Sequence, residues 1–410
     1  MLFKLFTVEL IVLGVVAWAA LYKRGRYFVP VVVGLAARLL LIWVYENTLL
    51  FGTSDIGDYL VHFKEFEHRL LKGEFYWGIH VPAYTALYPG WIYAFFGSDG
   101  FWLIRLANAA VSVLVLGPLV RIHRLVLGRP MSVKLSFLVL LWPTWLRYSI
   151  EVGRSSIISL FVLFTLALLI EIVERFSLRT AVMALIGMLG SVFLRVHNIG
   201  FFVMPLVTFF LIRIKRERNK YLRLLLYPVV IGFILLTVIG AVRFYLVFTG
   251  GGRFDIRSIS QLVAYASLYR ELGGSVYLAG VYPSSLLDLV WYLPLHAFYF
   301  MFSPMPWDAD KPFVIGSSLQ AWILLTLMVA SFRSSPRVYR TNRRLQLVML
   351  TSLVVMVGYG AVTKNAGGAE RWRLPITQLF LVLLPPLAKP REALEENRLL
   401  SSSSPETAST

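Results

Sequence analysis

Apolar runs close to 20 residues long recur along the chain, and short segments rich in Lys and Arg separate them. A helix of about 20 apolar residues can cross the hydrocarbon core of a bilayer. We therefore predict an all-α polytopic membrane protein, because helices satisfy their own backbone hydrogen bonds in lipid and the short alternating segments of a membrane barrel are missing. The predicted spans, about eleven, lie at 2–22, 27–48, 101–121, 133–150, 155–173, 180–194, 199–213, 222–247, 313–331, 345–363 and 374–388.

The composition agrees with this class and excludes several others. Hydrophobic residues make up 58% of the chain, charged residues 15%, and the mean hydropathy is +0.71. The chain has no Cys, which excludes disulfides, thiolate nucleophiles and Cys-ligated metals. The net charge of +18 comes from short basic clusters without interleaved stacking aromatics, so we expect membrane lipid and no nucleic acid as a partner. The first apolar run lacks a basic leader and is expected to be retained.

The basic clusters predict the orientation of the chain. They lie at 23–26, 121–129, 213–223 and 333–344, and the positive-inside rule places them together on the cytoplasmic side. That arrangement requires that two ambiguous apolar stretches, 82–97 and 286–303, do not cross, so we predict that both are interfacial or re-entrant helices.

This topology places the long polar loops 49–100 and 248–312 on the extracytoplasmic face, with the N-terminus outside and the C-terminus inside. We predict one transmembrane domain over residues 1–388 and a disordered cytoplasmic tail over 389–410, which is polar and rich in Ser. The expected location is the cell membrane, with the active site on the extracytoplasmic side.

Two acids, Asp55 and Asp58, stand at the start of a predicted interfacial helix. One interpretation is helix capping, with Ser54 or Asp55 as the N-cap residue. A cap needs a single acid, so the second carboxylate is available for chemistry at the membrane surface. The helix is predicted over 59–72, with an apolar face that contains Tyr59, Phe63, Phe66 and Leu70.

Several short motifs follow this acidic pair in a fixed order. They are Pro82-Ala83-Tyr84 through Phe96-Gly97, Arg105-Leu106-Ala107-Asn108, Trp142-Pro143, Leu194-Arg195, Ser303-Pro304-Met305-Pro306-Trp307 and Glu370-Arg371-Trp372-Arg373-Leu374-Pro375. Their order resembles the GT-C superfamily of polyprenyl-phosphate-dependent glycosyltransferases, including the members similar to dolichyl-phosphate-mannose mannosyltransferases. The resemblance implies a GT-C-like bundle with juxtamembrane helices on the extracytoplasmic side.

The resemblance also implies an activity. It is the transfer of a sugar from a polyprenyl-phosphate carrier, dolichyl or undecaprenyl, to a glycan, lipid or protein acceptor, with inversion. The family often carries a second acid after the Pro-containing helix, but here that position reads Arg154-Ser155. Glu151, one helical turn earlier, is the candidate second acid. We therefore expect either a metal-independent reaction or a Mg²⁺ or Mn²⁺ site assembled from Asp55, Asp58 and Glu151.

A lipid-phosphate donor requires a base for the acceptor and cations for the leaving phosphate. Asp55 is the first choice for the base and Asp58 the second. For the phosphate we favour Arg195 and Arg371. Further basic residues near the predicted outer helix ends support them, namely Arg373, Lys364, His197, Arg147 and Arg154.

Each of these residues has an alternative role, since Arg and Lys at helix ends also snorkel to the interface. Their clustering on the outer face runs against the orientation rule and calls for an anionic ligand or internal acids.

Two other functions stay open at this stage. A lipid-linked polysaccharide polymerase or ligase would depend on Arg and His in place of an acid. A lipid or sugar transporter, such as a flippase, would place ionisable groups near the bilayer midplane and often repeat its halves, and the sequence contains no matching halves.

Overall fold

The computed structural model describes residues 14, 15, 18, 25–47, 56–76, 78–216, 276–308 and 312–384. This part of the chain is helical and has no strand, apart from an isolated bridge between Val276 and Asn365. We number its α-helices α1 (Phe28–Asn47), α2 (Ile56–Leu71), α3 (Val81–Leu87), α4 (Pro89–Phe96), α5 (Phe101–Leu114), α6 (Leu116–Leu127), α7 (Val133–Leu140), α8 (Pro143–Ile150), α9 (Ser155–Glu174), α10 (Leu178–Leu194), α11 (Gly200–Arg216), α12 (Leu289–Phe302), α13 (Pro312–Ser334), α14 (Pro336–Thr341), α15 (Arg343–Val362) and α16 (Ala366–Leu383). Short 3-10 helices cover Gly97–Gly100, Val196–Ile199 and Pro306–Asp308.

Five helical stretches are long and apolar enough to cross a membrane. They are Phe28–Asn47, Pro89–Leu127, Ser155–Glu174, Val314–Ser334 and Arg343–Val362. The all-α membrane class is thus supported within the described residues, whereas the number of eleven spans stays a prediction. The predicted span 222–247 lies outside the described residues, as does most of 2–22.

Contacts between helix termini define one end of the bundle, which we call the basic end. Arg344, near the start of α15, pairs with Glu174 at the end of α9 and donates to the carbonyl oxygen of Leu125 in α6. The Tyr27 hydroxyl donates to the carbonyl oxygen of Met131, at 2.8 Å. The same end therefore contains residues in or next to three of the basic clusters predicted to be cytoplasmic. These clusters lie at 23–26, 121–129 and 333–344.

The opposite end, which we call the site end, joins the other termini of the same helices. The Tyr359 hydroxyl, near the end of α15, donates to Asn198 Oδ1 at 2.8 Å, in the turn that follows α10. The Arg154 guanidinium, before α9, donates to the carbonyl oxygen of Leu194 at 2.8 Å, at the last residue of α10. Every candidate site residue whose side chain is described lies on the elements that meet here.

The stretch 82–97 forms two short helices, α3 and α4, that begin and end at the site end. His80 N donates to the carbonyl oxygen of Phe193 in α10 at 2.8 Å, which fixes the start of this stretch. Its end leads into α5, where Asn108 Nδ2 donates to the carbonyl oxygen of Glu151 at 2.6 Å. The geometry supports the prediction that this stretch does not cross the bilayer.

Helix α2 packs its apolar face on α4. Phe63 and Phe66 are buried, and their rings contact Tyr93 and Trp91 at centroid distances of 5.7 Å and 5.2 Å. Leu70, predicted to share this face, is instead exposed because α4 does not extend beneath it. The described helix also begins at Ile56, three residues before the predicted start.

Helix α12, which covers most of the stretch 286–303, packs closely against α15. The Tyr292 hydroxyl donates to the carbonyl oxygen of Ala361 at 3.2 Å, and the Phe300 ring lies 5.7 Å from the ring of Tyr359. With 14 residues, α12 is about 21 Å long, which is shorter than the roughly 30 Å hydrocarbon core of a bilayer. Its length agrees with a helix that does not span, and its place relative to the membrane stays a prediction.

Two predicted spans have different bounds in the structure. The span predicted at 133–150 is broken at Trp142-Pro143 into α7 and α8, because Pro lacks the N–H that an unbroken helix needs. The last span, predicted to begin at residue 374, begins at Ala366, where Asn365 Oδ1 caps the helix by accepting from Gly368 N at 3.1 Å. Residues 370–373 therefore lie inside α16.

Candidate functional site

A tight turn between α8 and α9 forms the centre of the site. Arg147 lies in the last turn of α8, Glu151 ends that helix, and Arg154 precedes α9. The fully buried Asn108 holds this turn, since its Nδ2 donates to the carbonyl oxygens of Glu151 at 2.6 Å and Gly153 at 3.1 Å. The Asn of the Arg105-Leu106-Ala107-Asn108 motif thus positions the turn that carries charged side chains.

Glu151 lies between two guanidinium groups. One carboxylate oxygen is 3.5 Å from Arg147 Nε, and the other is 3.3 Å from Arg371 Nη2 in α16. Both guanidinium groups also lie over the ring of Tyr148, at 4.8 Å and 5.2 Å from its centroid. This arrangement joins three residues that the sequence analysis selected, two as phosphate ligands and one as a second acid.

Glu370 is a second carboxylate of the site, and the sequence analysis did not select it. It is 3% exposed, and its Oε2 accepts from the Tyr148 hydroxyl at 2.8 Å. Its oxygens lie 3.6 Å from Arg147 Nη1 and 3.8 Å from Arg373 Nη2. An acid within an apolar helix requires a partner, and that rule was the available signal.

Arg195 is a buried cation in a basic neighbourhood. It is 5% exposed at the end of α10, and its guanidinium carbon lies 5.5 Å from the centroid of a Trp372 ring. Burial, together with the positive charges of Arg154 and Arg371, lowers the pKa of Arg195 to about 9, so its charged form is destabilised. An anion beside it would offset that destabilisation.

His197 belongs to the same group of side chains through its aromatic contacts. Its ring lies 5.1 Å from the ring of Trp372 and 6.0 Å from the ring of Tyr359. The structure therefore brings Arg147, Arg154, Arg195, His197 and Arg371 together around the starts and ends of α8, α9, α10 and α16. Their role as phosphate ligands stays a prediction.

The other two predicted cations lie towards α12. The Arg373 guanidinium, 5% exposed, donates to the carbonyl oxygen of Phe300 at 3.0 Å. Lys364 is fully buried, with its ammonium 3.4 Å from the ring centroid of Tyr282. These contacts give Arg373 and Lys364 partners in the fold besides any ligand.

The proposed base lies partly outside the described residues. Asp55 is not described, and Asp58 is described only as a backbone position in the first turn of α2. The neighbouring Tyr59 is described, and its hydroxyl would lie 3.6 Å from a Cβ added at Gly153. The start of α2 is therefore next to the α8–α9 turn, and the roles of the two Asp side chains stay predictions.

The predicted Mg²⁺ or Mn²⁺ site does not fit Glu151. Its two oxygens each face an Arg, so a divalent cation bound there would meet two positive charges at short range. Among the described residues, no group of three His, Cys, Asp or Glu could hold a metal ion. We therefore derive no step through a metal.

The charge balance of this site favours an anionic ligand. Arg147, Arg154, Arg195, Arg371 and Arg373 share the site with two described carboxylates, those of Glu151 and Glu370. Guanidinium groups bind phosphate through several parallel hydrogen bonds, which makes phosphate the group that this site could best bind.

Comparison with known proteins found no match, whether to family models, to curated proteins or to solved structures. The likeness to GT-C enzymes thus rests on the motifs quoted above.

Proposed function

We propose that the chain is an integral membrane glycosyltransferase that moves one sugar from a polyprenyl-phosphate carrier to an extracytoplasmic acceptor with inversion. The observation that carries this proposal is the group of five Arg side chains at one end of an apolar helical bundle, next to the start of α2, whose first turn contains Asp58. Asp55 directly precedes this helix in the sequence. A lipid-borne anion would enter such a site from the bilayer.

In this reaction an acceptor oxygen attacks the anomeric carbon of the sugar. The bond from that carbon to the phosphate oxygen breaks, and polyprenyl phosphate leaves with the electron pair. Asp55, with Asp58 as the second choice, takes the proton of the acceptor hydroxyl. Arg371 and Arg195 balance the charge that develops on the leaving phosphate.

The two favoured Arg residues differ in solvent exposure, and we therefore propose different roles for them in phosphate binding. The Arg371 side chain is 29% exposed, whereas Arg195 is 5% exposed. Arg371 is therefore the better candidate for direct contact with the phosphate. Arg195 is buried against Trp372, so in this proposal it stabilises the phosphate by its positive charge without contacting it directly.

The test of the base is transfer from a labelled polyprenyl-phosphate sugar by the purified chain. Asp55→Asn and Asp58→Asn are assayed separately and together, and loss of a general base is expected to lower the rate about 10²–10⁴-fold. Asp99→Asn is the matched control, because Asp99 is exposed in the turn before α5. Unchanged rates in both single variants and the double variant would refute the assignment.

A lipid-linked polysaccharide polymerase or ligase is the second candidate. It is favoured by one observation, that both described carboxylates of the site are paired with Arg and so are poorly placed to act as bases. Here the Asp variants would keep their activity on a lipid-linked glycan, and Arg371→Gln would lose it. A transporter finds less support, because the described charges of the site lie at helix ends or within the first turns of α16. Substrate uptake or lipid flipping in proteoliposomes without sugar transfer would establish it.

A further inference from the structure

An apolar pocket opens between α9, α10 and α11, near the basic end and far from the proposed site. It has a volume of about 160 Å³ and only apolar side chains line it, among them Ile172, Ala184, Met188 and Phe209. The pocket is open on one side, and its apolar lining offers water no hydrogen-bond partners. The pocket is thus suited to part of a hydrocarbon chain.

The surroundings of the pocket are also apolar and exposed. Leu178, Val182 and Ile186, on the same helix as Ala184, are 72%, 47% and 55% exposed. Phe176, which lines the pocket at the α9–α10 turn, is 53% exposed. Because α9 is long and apolar enough to cross a membrane, this surface faces lipid acyl chains in the proposed fold.

Two exposed Arg residues stand close in the sequence to lining residues of the pocket. Arg175 directly precedes the lining residue Phe176, and Arg179 stands two residues before the lining residue Ala181. Within the described part of the chain, neither forms an ion pair. The two acids at this end of α9 are already engaged, Glu171 with Arg121 and Glu174 with Arg344.

We infer that this pocket, with Arg175 and Arg179, is a binding site for an anionic phospholipid. One acyl chain occupies the pocket and the phosphate lies between the two guanidinium groups. Charge complementarity selects the anionic headgroup, and the apolar lining selects a lipid over a free phosphate. This inference does not depend on the proposed enzymatic activity.

The test is native mass spectrometry of the full chain in detergent, titrated with phosphatidylglycerol or with phosphatidylcholine of the same acyl chains. We expect one tightly bound phosphatidylglycerol and weaker binding of phosphatidylcholine. Arg175→Gln and Arg179→Gln should each weaken phosphatidylglycerol binding about fivefold. Ala184→Leu, which fills the pocket, should weaken the binding of both lipids.

Arg129→Gln is the matched control, since Arg129 is exposed at the same end but not at the pocket. All variants are compared as folded, monodisperse protein, judged by melting temperature. The inference is overturned if Arg129→Gln weakens binding as much as Arg175→Gln, if Ala184→Leu leaves it unchanged, or if inorganic phosphate displaces the lipid. The first result would indicate a diffuse basic surface, the second that the pocket holds no acyl chain, and the third a site for free phosphate.

Discussion

At the residue scale, Glu370 holds the cation group together. It is nearly buried and contacts Tyr148, Arg147 and Arg373, whereas Glu151 is more exposed and bridges Arg147 to Arg371. A buried carboxylate surrounded by guanidinium groups compensates charges that would otherwise be left unpaired in the interior.

Glu370→Gln is therefore expected to destabilise the fold strongly. The amide keeps an acceptor for the Tyr148 hydroxyl but leaves the buried Arg373 without its carboxylate partner. Breaking a buried pair in this way costs about 3–5 kcal/mol. The measurement is the free energy of unfolding in detergent. Tyr148→Phe is the control and should cost about 1.5–3 kcal/mol, the range for a hydrogen bond to a charged group, so a loss in Glu370→Gln no larger than in Tyr148→Phe would contradict the ion-pair role.

The sequence analysis selected the Arg residues of this site but not Glu370. Arg147, Arg195 and Arg371 were found because basic residues at the outer ends of apolar runs violate the orientation rule. Glu370 was missed because two of its three partners, Tyr148 and Arg147, lie far away along the chain, 222 residues in the case of Tyr148, and only Arg373 is near in the sequence. Only the fold brings α8 and α16 together, so their pairing could not be predicted from spacing.

At the element scale, the close approach of α12 to α15 depends on a single glycine. A Cβ on Gly360 would lie 2.7 Å from the carbonyl oxygen of His296 and 2.8 Å from the backbone nitrogen of Ala297. Backbone atoms cannot rotate away as a side chain can. Gly358, two residues earlier in the same helix, has open space at the same position.

We expect Gly360→Ala to lower the free energy of unfolding by about 1–3 kcal/mol, because the added methyl pushes α12 away from α15. Gly358→Ala is the matched control and should be neutral or stabilise the protein by up to about 1 kcal/mol, since Ala favours helix. Equal effects of the two substitutions would show that α12 does not pack against α15 at Gly360 as described.

A hydropathy pattern predicts the ends of some helices correctly and misplaces the ends of others. The helix predicted at 155–173 is observed as Ser155–Glu174, because a continuous apolar run ends sharply at charged residues. The helix predicted from 374 begins at 366, because its first two turns carry charged side chains that bind one another within the fold and so interrupt the apolar run. A cap such as Asn365 was the local signal for that earlier start.

At the scale of the whole molecule, the site end and the basic end must lie on opposite sides of the membrane. The chain has no Cys, so each single substitution creates a unique labelling site. Ser98 and Ser285 are exposed near the site end, and Ser177 and Thr341 are exposed at the basic end. We expect Ser98→Cys and Ser285→Cys to react with an impermeant thiol reagent from the extracytoplasmic side.

Ser177→Cys and Thr341→Cys are the counterparts and should react from the cytoplasmic side only. The result depends on the prediction that 82–97 and 286–303 do not cross, because a crossing at either stretch reverses every position after it. Labelling of Ser98→Cys and Ser285→Cys from different sides would exclude the topology. Labelling of all four positions from one side would exclude the assignment of the two ends.

The central claim is that cations at the site end stabilise a leaving lipid phosphate. The most direct measurement is the rate of transfer from a labelled polyprenyl-phosphate sugar by the wild-type chain and by Arg371→Gln, with Arg340→Gln at the basic end as control. We predict transfer by the wild type and the control, and a rate about 10²–10³-fold lower in Arg371→Gln. Transfer by Arg371→Gln at the wild-type rate would contradict the account.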